Sequence, residues 1–500
     1  MAEANSLSKR PLSAFAEQVK GAVIWRSGSQ IAGQLIAWTS TFLVIRLLDP
    51  GDYGLIAMTG VVLAFLNLLN GWGFASALVR DERIDRHRIG QVFGMLLLMN
   101  GALAAAQFAA APIAADYFNQ PIVAQLLRVQ ALFYFANPFM ALGNALLSRQ
   151  MDFKRQSQVN LGAAVLSAAA ALGGAYAGLG VWTLVIAAGV LWYAQAIGLA
   201  VAARLWIRPV FRFRGAGATA RFGGAMILIQ SCWFVQSQAD IFIGGRALDP
   251  HRLGLYTTAL FLTLMLATKF VPPLNEVAFA AYARIQADEG RRQAAFLKTV
   301  RLIMLVALPF YFGLAVTAEP LVLTFLGAKW AEAAALVPVL ACAMPLLTLQ
   351  ILFAPATNAI GRPALAVRTG LVGAVLMPAA FLIGIQWGAI GLAWAWLGGM
   401  AVLLAVTVML SLPAIGASRR ALAAAVAPGL GASLTMAAAV AALASLLPGL
   451  GAGARLALLV PFGAAVYAAM LLLFARPLVE EVLALLRPSR QGSGAAAQAL

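Results

Sequence analysis

The sequence predicts an all-α polytopic membrane protein of about fourteen transmembrane helices, built as two parallel six-helix repeats with two extra C-terminal helices. Three observations predict it. Of 500 residues, 62% are hydrophobic and only 11% charged, with a mean hydropathy of +0.87, whereas an ordinary soluble domain carries about 25% charged residues. The apolar stretches run to the ~20 residues a helix needs to cross a hydrocarbon core, and the alternation of a membrane barrel strand is absent. The third observation is a repeat. The stretch Arg46-Leu-Leu-Asp49-Pro50-Gly51-Asp52-Tyr53-Gly54-Leu55 returns 200 residues on, without slip, as Arg246-Ala-Leu-Asp249-Pro250-His251-Arg252-Leu253-Gly254-Leu255. Each copy lies between two long apolar runs, so Asp-Pro marks a turn at a membrane edge.

In chain order, residues 1–21 are polar and then mildly amphipathic, with Leu12, Phe15 and Val19 against Glu17 and Lys20, and read as a cytoplasmic, interfacial N-terminus. Spans 1 to 6 fall near 22–47, 53–79, 90–114, 122–147, 159–178 and 181–203, and form an N-terminal lobe over 22–203. A linker at 204–221 interleaves Trp206, Phe211 and Phe213 with arginines, the composition of an interfacial anchor on the cytoplasmic side. Spans 7 to 12, near 222–245, 254–283, 299–318, 333–360, 366–386 and 388–411, form a C-terminal lobe over 222–411. The turn Gly178-Leu-Gly180-Val-Trp182 between spans 5 and 6 is echoed by Gly388-Ala-Ile-Gly391-Leu-Ala-Trp394 between spans 11 and 12. Spans 13 and 14, near 421–447 and 456–475, stand outside the repeat and are read as lipid-facing additions or a groove for a lipid tail. Residues 476–500 form a cytoplasmic tail that turns Gly, Ala and Ser-rich from Arg487.

The net charge of +17 invites nucleic acid as a partner until its distribution is read. On the spans above, 27 of the 35 Lys and Arg fall at the N-terminus, the C-terminus and the loops after even-numbered spans. Short basic loops stay cytoplasmic, so both termini are placed inside and the helix number is even. Six spans separate the repeat copies, which makes the repeat parallel. The charge is topology, not a nucleic-acid stripe. Cys232 and Cys342 both lie within apolar runs, and with two histidines and no HExxH pattern no metal site or cofactor is expected. No signal-peptide cleavage pattern follows the first run.

Several local patterns together resemble the polysaccharide transport branch of the oligosaccharide flippases, the Wzx-type members of the MOP superfamily that also holds the drug/cation MATE exporters and the lipid II flippases. They are Arg46 to Gly54, Arg149-Gln-Met-Asp-Phe153-Lys154, Gly178 to Trp182, Asp240-Ile-Phe-Ile-Gly-Gly-Arg246 leading to Gly254-Leu-Tyr256, and Gly327-Ala-Lys329-Trp330. The resemblance implies two V-shaped lobes around a cavity with alternating access. It implies a multi-pass protein of the bacterial inner membrane that flips undecaprenyl-pyrophosphate-linked oligosaccharide repeat units for exopolysaccharide, capsule or O-antigen. Membrane lipids, a polysaccharide polymerase, export machinery and a coupling ion, H+ or Na+, are the partners it implies.

A sugar passing a membrane needs exchangeable hydroxyl partners, and amides both donate and accept. Gln30, Gln34, Asn67, Asn70, Gln230, Gln236, Gln238 and Asn275 qualify, with Gln30 and Gln230 matching at the repeat interval; interhelical hydrogen bonding is the alternative use of each. An ionisable group at mid-bilayer costs about 2.5–3.5 kcal/mol or more, which singles out four. Arg26, in register with Gln30 and Gln34, either faces a cavity or snorkels. Lys269, deeper in its span, is the candidate for the pyrophosphate. Pro272-Pro273 should kink or break span 8 beside it, and a Lys269 to Glu276 contact is the alternative. Asp240 either pairs with Arg246 or takes up a coupling ion, and these two with Glu276 are the gating candidates. A MATE-like cation/drug antiporter is the rival function; a membrane polymerase or ligase lacks a catalytic constellation here, and no enzyme activity is expected.

Overall fold

The structure, a computed structural model, describes residues 12–68, 86–211, 217–285, 288–478 and 480, with the backbone alone for 12–27, 88 and 217–229. Among the described residues 11 helical stretches are long and apolar enough to cross a membrane, and one of these, Pro363–Ile415, contains two helices joined by a short 3-10 turn. The helices that cover spans 1 and 7 complete the expected fourteen passages.

Contacts divide the chain into two compact units, Met1–Leu255 and Tyr256–Leu500. The first begins with α1 (Leu12–Leu47), α2 (Pro50–Leu68) and α3 (Arg86–Phe118). The interfacial segment expected before span 1 is thus continuous with it from Leu12 onward. Span 4 is two helices, α4 (Pro121–Ala131) and α5 (Asn137–Arg149), joined by a 3-10 turn at Leu132–Phe135. Then come α6 (Phe153–Tyr176), α7 (Val181–Ala202) and α8 (Gly217–Ala247). Helix α1 packs on α6 through a core of Val44, Leu48, Ala171 and Ala187, while α8 packs on α2 and α3. The described part of the linker lies against α3: Val210 donates its backbone N–H to the Gly90 carbonyl at 2.8 Å, and a Cβ on Gly94 would meet the Val210 carbonyl oxygen at 2.5 Å.

In the second unit span 8 breaks as its prolines require, into α9 (Pro250–Lys269) and α10 (Val271–Arg284), with a turn at Phe270. Next are α11 (Glu289–Val316), the short α12 (Ala318–Phe325), α13 (Ala333–Ile351), α14 (Phe353–Ala359), α15 (Pro363–Gly384), α16 (Gly388–Ile415), α17 (Arg419–Ser445) and α18 (Ala452–Phe474). A large core of Val271, Tyr282, Phe296, Val300, Met304, Phe353, Leu412 and Leu422 ties α10, α11, α14, α16 and α17 together. Span 13 is therefore not a lipid-facing addition: α17 buries Leu422, Ala425, Ala432, Met436 and Val440, and Gly429 sits on Leu305 and Leu308 of α11. Span 14 is peripheral, since α18 buries only Leu459, Gly463 and Leu471.

The two glycine turns share one backbone conformation at the glycine that opens the following helix. Gly180 (φ 52°, ψ −133°) and Gly388 (φ 72°, ψ −153°) adopt the same backbone, a region open essentially to glycine alone. Gly180 is therefore the counterpart of Gly388.

Candidate functional site

Both copies of the repeat place the Asp-Pro step between the end of one helix and the start of the next, and in each the first Asp side chain caps the second helix. Asp49 Oδ1 accepts from the Gly51 N–H at 3.0 Å, and Asp52 Oδ2 accepts from the Asp49 N–H at 3.2 Å, a reciprocal cap for α2. Asp249 Oδ1 accepts from the Arg252 N–H at 3.0 Å and caps α9. Pro50 and Pro250 open their helices, where a missing N–H costs nothing.

These two turns then cross. A Cβ on Gly54 would overlap the Pro250 carbonyl oxygen, and one on Gly254 would overlap that of Pro50. In the sequence these glycines only fit the start of the next helix; the structure shows that two backbones pass within contact distance there. His251 Nδ1 lies 3.5 Å from Asp49 Oδ1 across the crossing.

Arg246 does not pair with Asp240. Its Nη1 donates to the Asp116 and Tyr117 carbonyls at 3.3 and 2.7 Å and to Asn119 Oδ1 at 2.8 Å, closing the C-terminal end of α3, where a cation is favoured. Tyr117 stacks on Phe242 with centroids 4.4 Å apart. Asp240 lies six residues earlier on α8, 0% exposed, its Oδ1 accepting from the Ile241 N–H at 2.8 Å.

The remaining candidates fall into two sets, one in each unit. In the first, Gln30 and Gln230 are both exposed on their helices, Gln34 is half-buried and Gln236 buried; the Arg26 side chain and Asn70 lie outside the described residues. In the second, Lys269 ends α9 and is exposed, as is Glu276 on α10, and among the described residues no ion pair joins them. Asn275 donates its Nδ2 to the Ile351 carbonyl at 3.4 Å, at the α13–α14 break. Pro272 and Pro273 remove two of the N–H groups that a helix start offers to an anion, which leaves the Lys269 ammonium as the positive group at this break. The break thus presents a cation, an amide and a carboxylate within about two helical turns.

Polar residues that sequence reasoning missed are buried in the first unit, Asn100 and Gln107 on α3, Gln130 on α4 and Tyr134 in the 3-10 turn, with the half-buried Asn137 on α5 beside them. Asn137 Nδ2 donates to Asn100 Oδ1 at 3.1 Å, and Gln107 Nε2 to the Leu127 carbonyl at 2.7 Å. A signal was available. Asn100 and Gln107, and likewise Gln130, Asn137 and Asn144, recur at intervals of seven, two helical turns on one face.

A model of the family described as polysaccharide biosynthesis protein matches residues 43–335. Similar relatives include the succinoglycan biosynthesis transport protein ExoT of Rhizobium meliloti, 26% identical over 71% of this chain and 72% of the relative. The teichuronic acid biosynthesis protein TuaB of Bacillus subtilis is 22% identical over 65% and 68%. The lipopolysaccharide biosynthesis protein WzxC of Escherichia coli is 23% identical over 58% and 59%. Among solved structures, the lipid II flippase MurJ in an inward closed conformation shares the fold, with a TM-score of 0.72 at 12% identity over 91% of this chain and 100% of that one. An inward-facing multidrug MATE transporter gives 0.60 at 16% identity, over 79% and 98%.

Proposed function

Because this chain belongs to the polysaccharide biosynthesis protein family, we propose that it is a flippase. It moves polyprenyl-pyrophosphate-linked oligosaccharide repeat units from the cytoplasmic to the periplasmic leaflet of the bacterial inner membrane, by alternating access, for exopolysaccharide, capsule or O-antigen assembly. The observation that carries the reading is the union of a polysaccharide family match with the fold of a lipid-linked saccharide flippase.

The chemistry follows from the residues. Lys269 meets the pyrophosphate, with Arg26 as the second cation, while Gln30, Gln34, Gln230 and Asn275 exchange hydrogen bonds with sugar hydroxyls. Asp240 and Arg246 act on the outward gate, and Glu276 keeps the linker's exit from Lys269 from becoming too costly. The two lobes are 22–203 and 222–411, the 204–221 linker and both termini are cytoplasmic, and no bond is made or broken.

Complementation of a strain lacking its own repeat-unit flippase tests this, scored by surface polysaccharide and accumulated lipid-linked repeat units. Restored export by wild type and its loss in Lys269→Ala at equal protein level supports the reading; failure of wild type with several unrelated repeat units sinks it. The buried Asp240 carboxylate is the observation that would suit a cation exporter, and a drug-efflux assay in the same strain separates the two.

A further inference from the structure

By composition the segment after span 6 is an interfacial anchor; the structure makes it a fixed strap with two faces. The chain leaves α7 through Arg204, whose φ of 51° is left-handed, and the Leu205 N–H donates to the Ala200 carbonyl at 2.9 Å. From there it runs without helix to Phe211. Leu205 and Ile207 pack against Ile89, Val92, Phe93 and Leu142, whereas Arg204, Trp206 and Arg208 point out, Trp206 being 90% exposed. That is the alternation of an extended segment laid on an apolar support. The support is shaped to receive it. A Cβ on Gly90 would stand 2.8 Å from the Arg208 carbonyl oxygen, and one on Gly94 only 2.5 Å from that of Val210, so two glycines one turn apart on α3 seat the strap backbone.

The seat also fixes the depth. The apolar span of α3 begins at Ile89, so Gly90 and Gly94 lie within about 8 Å of its end at ~1.5 Å per residue, where hydrocarbon gives way to headgroups. An indole held outward there occupies the belt that Trp favours at a membrane surface. Its neighbours on the strap choose the lipid. Among the described residues neither Arg204 nor Arg208 makes an ion pair, and both are exposed. Helices α5 and α6 meet α7 at the same end, with Gly143 against Leu199 and Gly198 against Val159. They bring the exposed Arg149, Lys154 and Arg155, and Asp152 beside them is already paired with Arg155 at 3.3 Å. The rim is therefore basic at headgroup depth, and a guanidinium donates to a phosphodiester through two parallel N–H groups.

We propose that the strap is a docking surface for anionic phospholipid of the leaflet on that side. Arg204 and Arg208 hold lipid phosphates, Trp206 lies at the level of the glycerol between them, and bound lipid clamps the strap onto α3 and stabilises the first unit. This binding does not depend on what the protein transports.

The purified full chain is melted in nanodiscs of phosphatidylcholine with rising shares of phosphatidylglycerol, as wild type and with Arg204→Asn and Arg208→Gln combined; Asn accepts the left-handed backbone at 204. The expected result is a saturable rise in Tm with phosphatidylglycerol, weakened by salt, whose half-maximal lipid share increases at least three-fold in the double variant. Phosphatidylglycerol brominated near the glycerol should quench wild-type tryptophan fluorescence more than brominated phosphatidylcholine does, and that excess should be lost in Trp206→Phe. A Tm indifferent to phosphatidylglycerol overturns the proposal and leaves the strap to an acidic protein. A rise and a quenching excess that survive in both variants overturn it by placing the lipid elsewhere. An equal rise from inorganic phosphate in pure phosphatidylcholine discs also overturns it, by making the strap a receptor for free anions. The quenching measurement reads contact and not stability, so it decides even where the double variant melts lower in phosphatidylcholine alone.

Discussion

Lys269 and Gly54 show how differently single residues are legible. A lysine deep in an apolar run announces itself by cost alone, and the structure leaves it exposed at the end of α9 with two prolines depriving the next helix of its first donors. Lys269→Gln is expected to abolish export in the complementation assay with protein level unchanged, and Lys269→Arg to retain part of it, because both cations attract the linker but only the guanidinium's planar fork changes the geometry. Gly54 carries no such mark. Nothing in the sequence says that Pro250 lies against it, since a contact between residues about 200 apart is set by packing and not by local pattern. Gly54→Ala and Gly254→Ala are each expected to destabilise by about 1–3 kcal/mol or more through overpacking, read as lost folded protein by fluorescence-detected size exclusion. His251→Ala, which removes only an exposed side-chain contact with Asp49, should fall within about 1 kcal/mol of wild type in the same measurement.

Elements were read well where apolar length decided them and poorly where a helix is interrupted. The break at Phe270 was foreseeable because two consecutive prolines cannot continue a ladder. The breaks in span 4 and at Leu352 were not: Pro138 and Pro355 follow them, but a single proline is routinely carried within a membrane helix, as Pro309, Pro345 and Pro413 are. The Asp240–Arg246 pairing failed for a related reason. Six residues on a helix turn two side chains to different faces, and Arg246 is drawn instead to the carbonyls that end α3. Arg246→Ala should therefore loosen the α8–α3 junction, lowering Tm by a few degrees, whereas Arg246→Lys should recover only part, because an ammonium can donate to the same acceptors but loses the guanidinium's place over the Tyr117 ring. Replacing both Pro272 and Pro273 with Ala should join α9 and α10 into a single helix and slow export while raising thermal stability, measurable together in the complementation strain and the purified protein.

For the molecule as a whole, the fourteen passages were legible from hydropathy and from the Arg and Lys count, because the membrane imposes a length and a charge rule that no soluble fold obeys. What the rule does not tell is which passages are core. Spans 13 and 14 look alike as sequences, yet α17 completes the interior of the second unit and α18 covers it from outside. Truncation after residue 418 should accordingly leave no stable protein in the membrane fraction, while truncation after residue 451 should still accumulate. The crossing at Gly54 and Gly254 carries a consequence of a different kind. Each copy of the repeat both fills space in the other and leaves space for it, so the pair behaves as a fitting made from interchangeable parts: exchanging residues 46–55 with 246–255 wholesale should preserve assembly where one added methyl group does not.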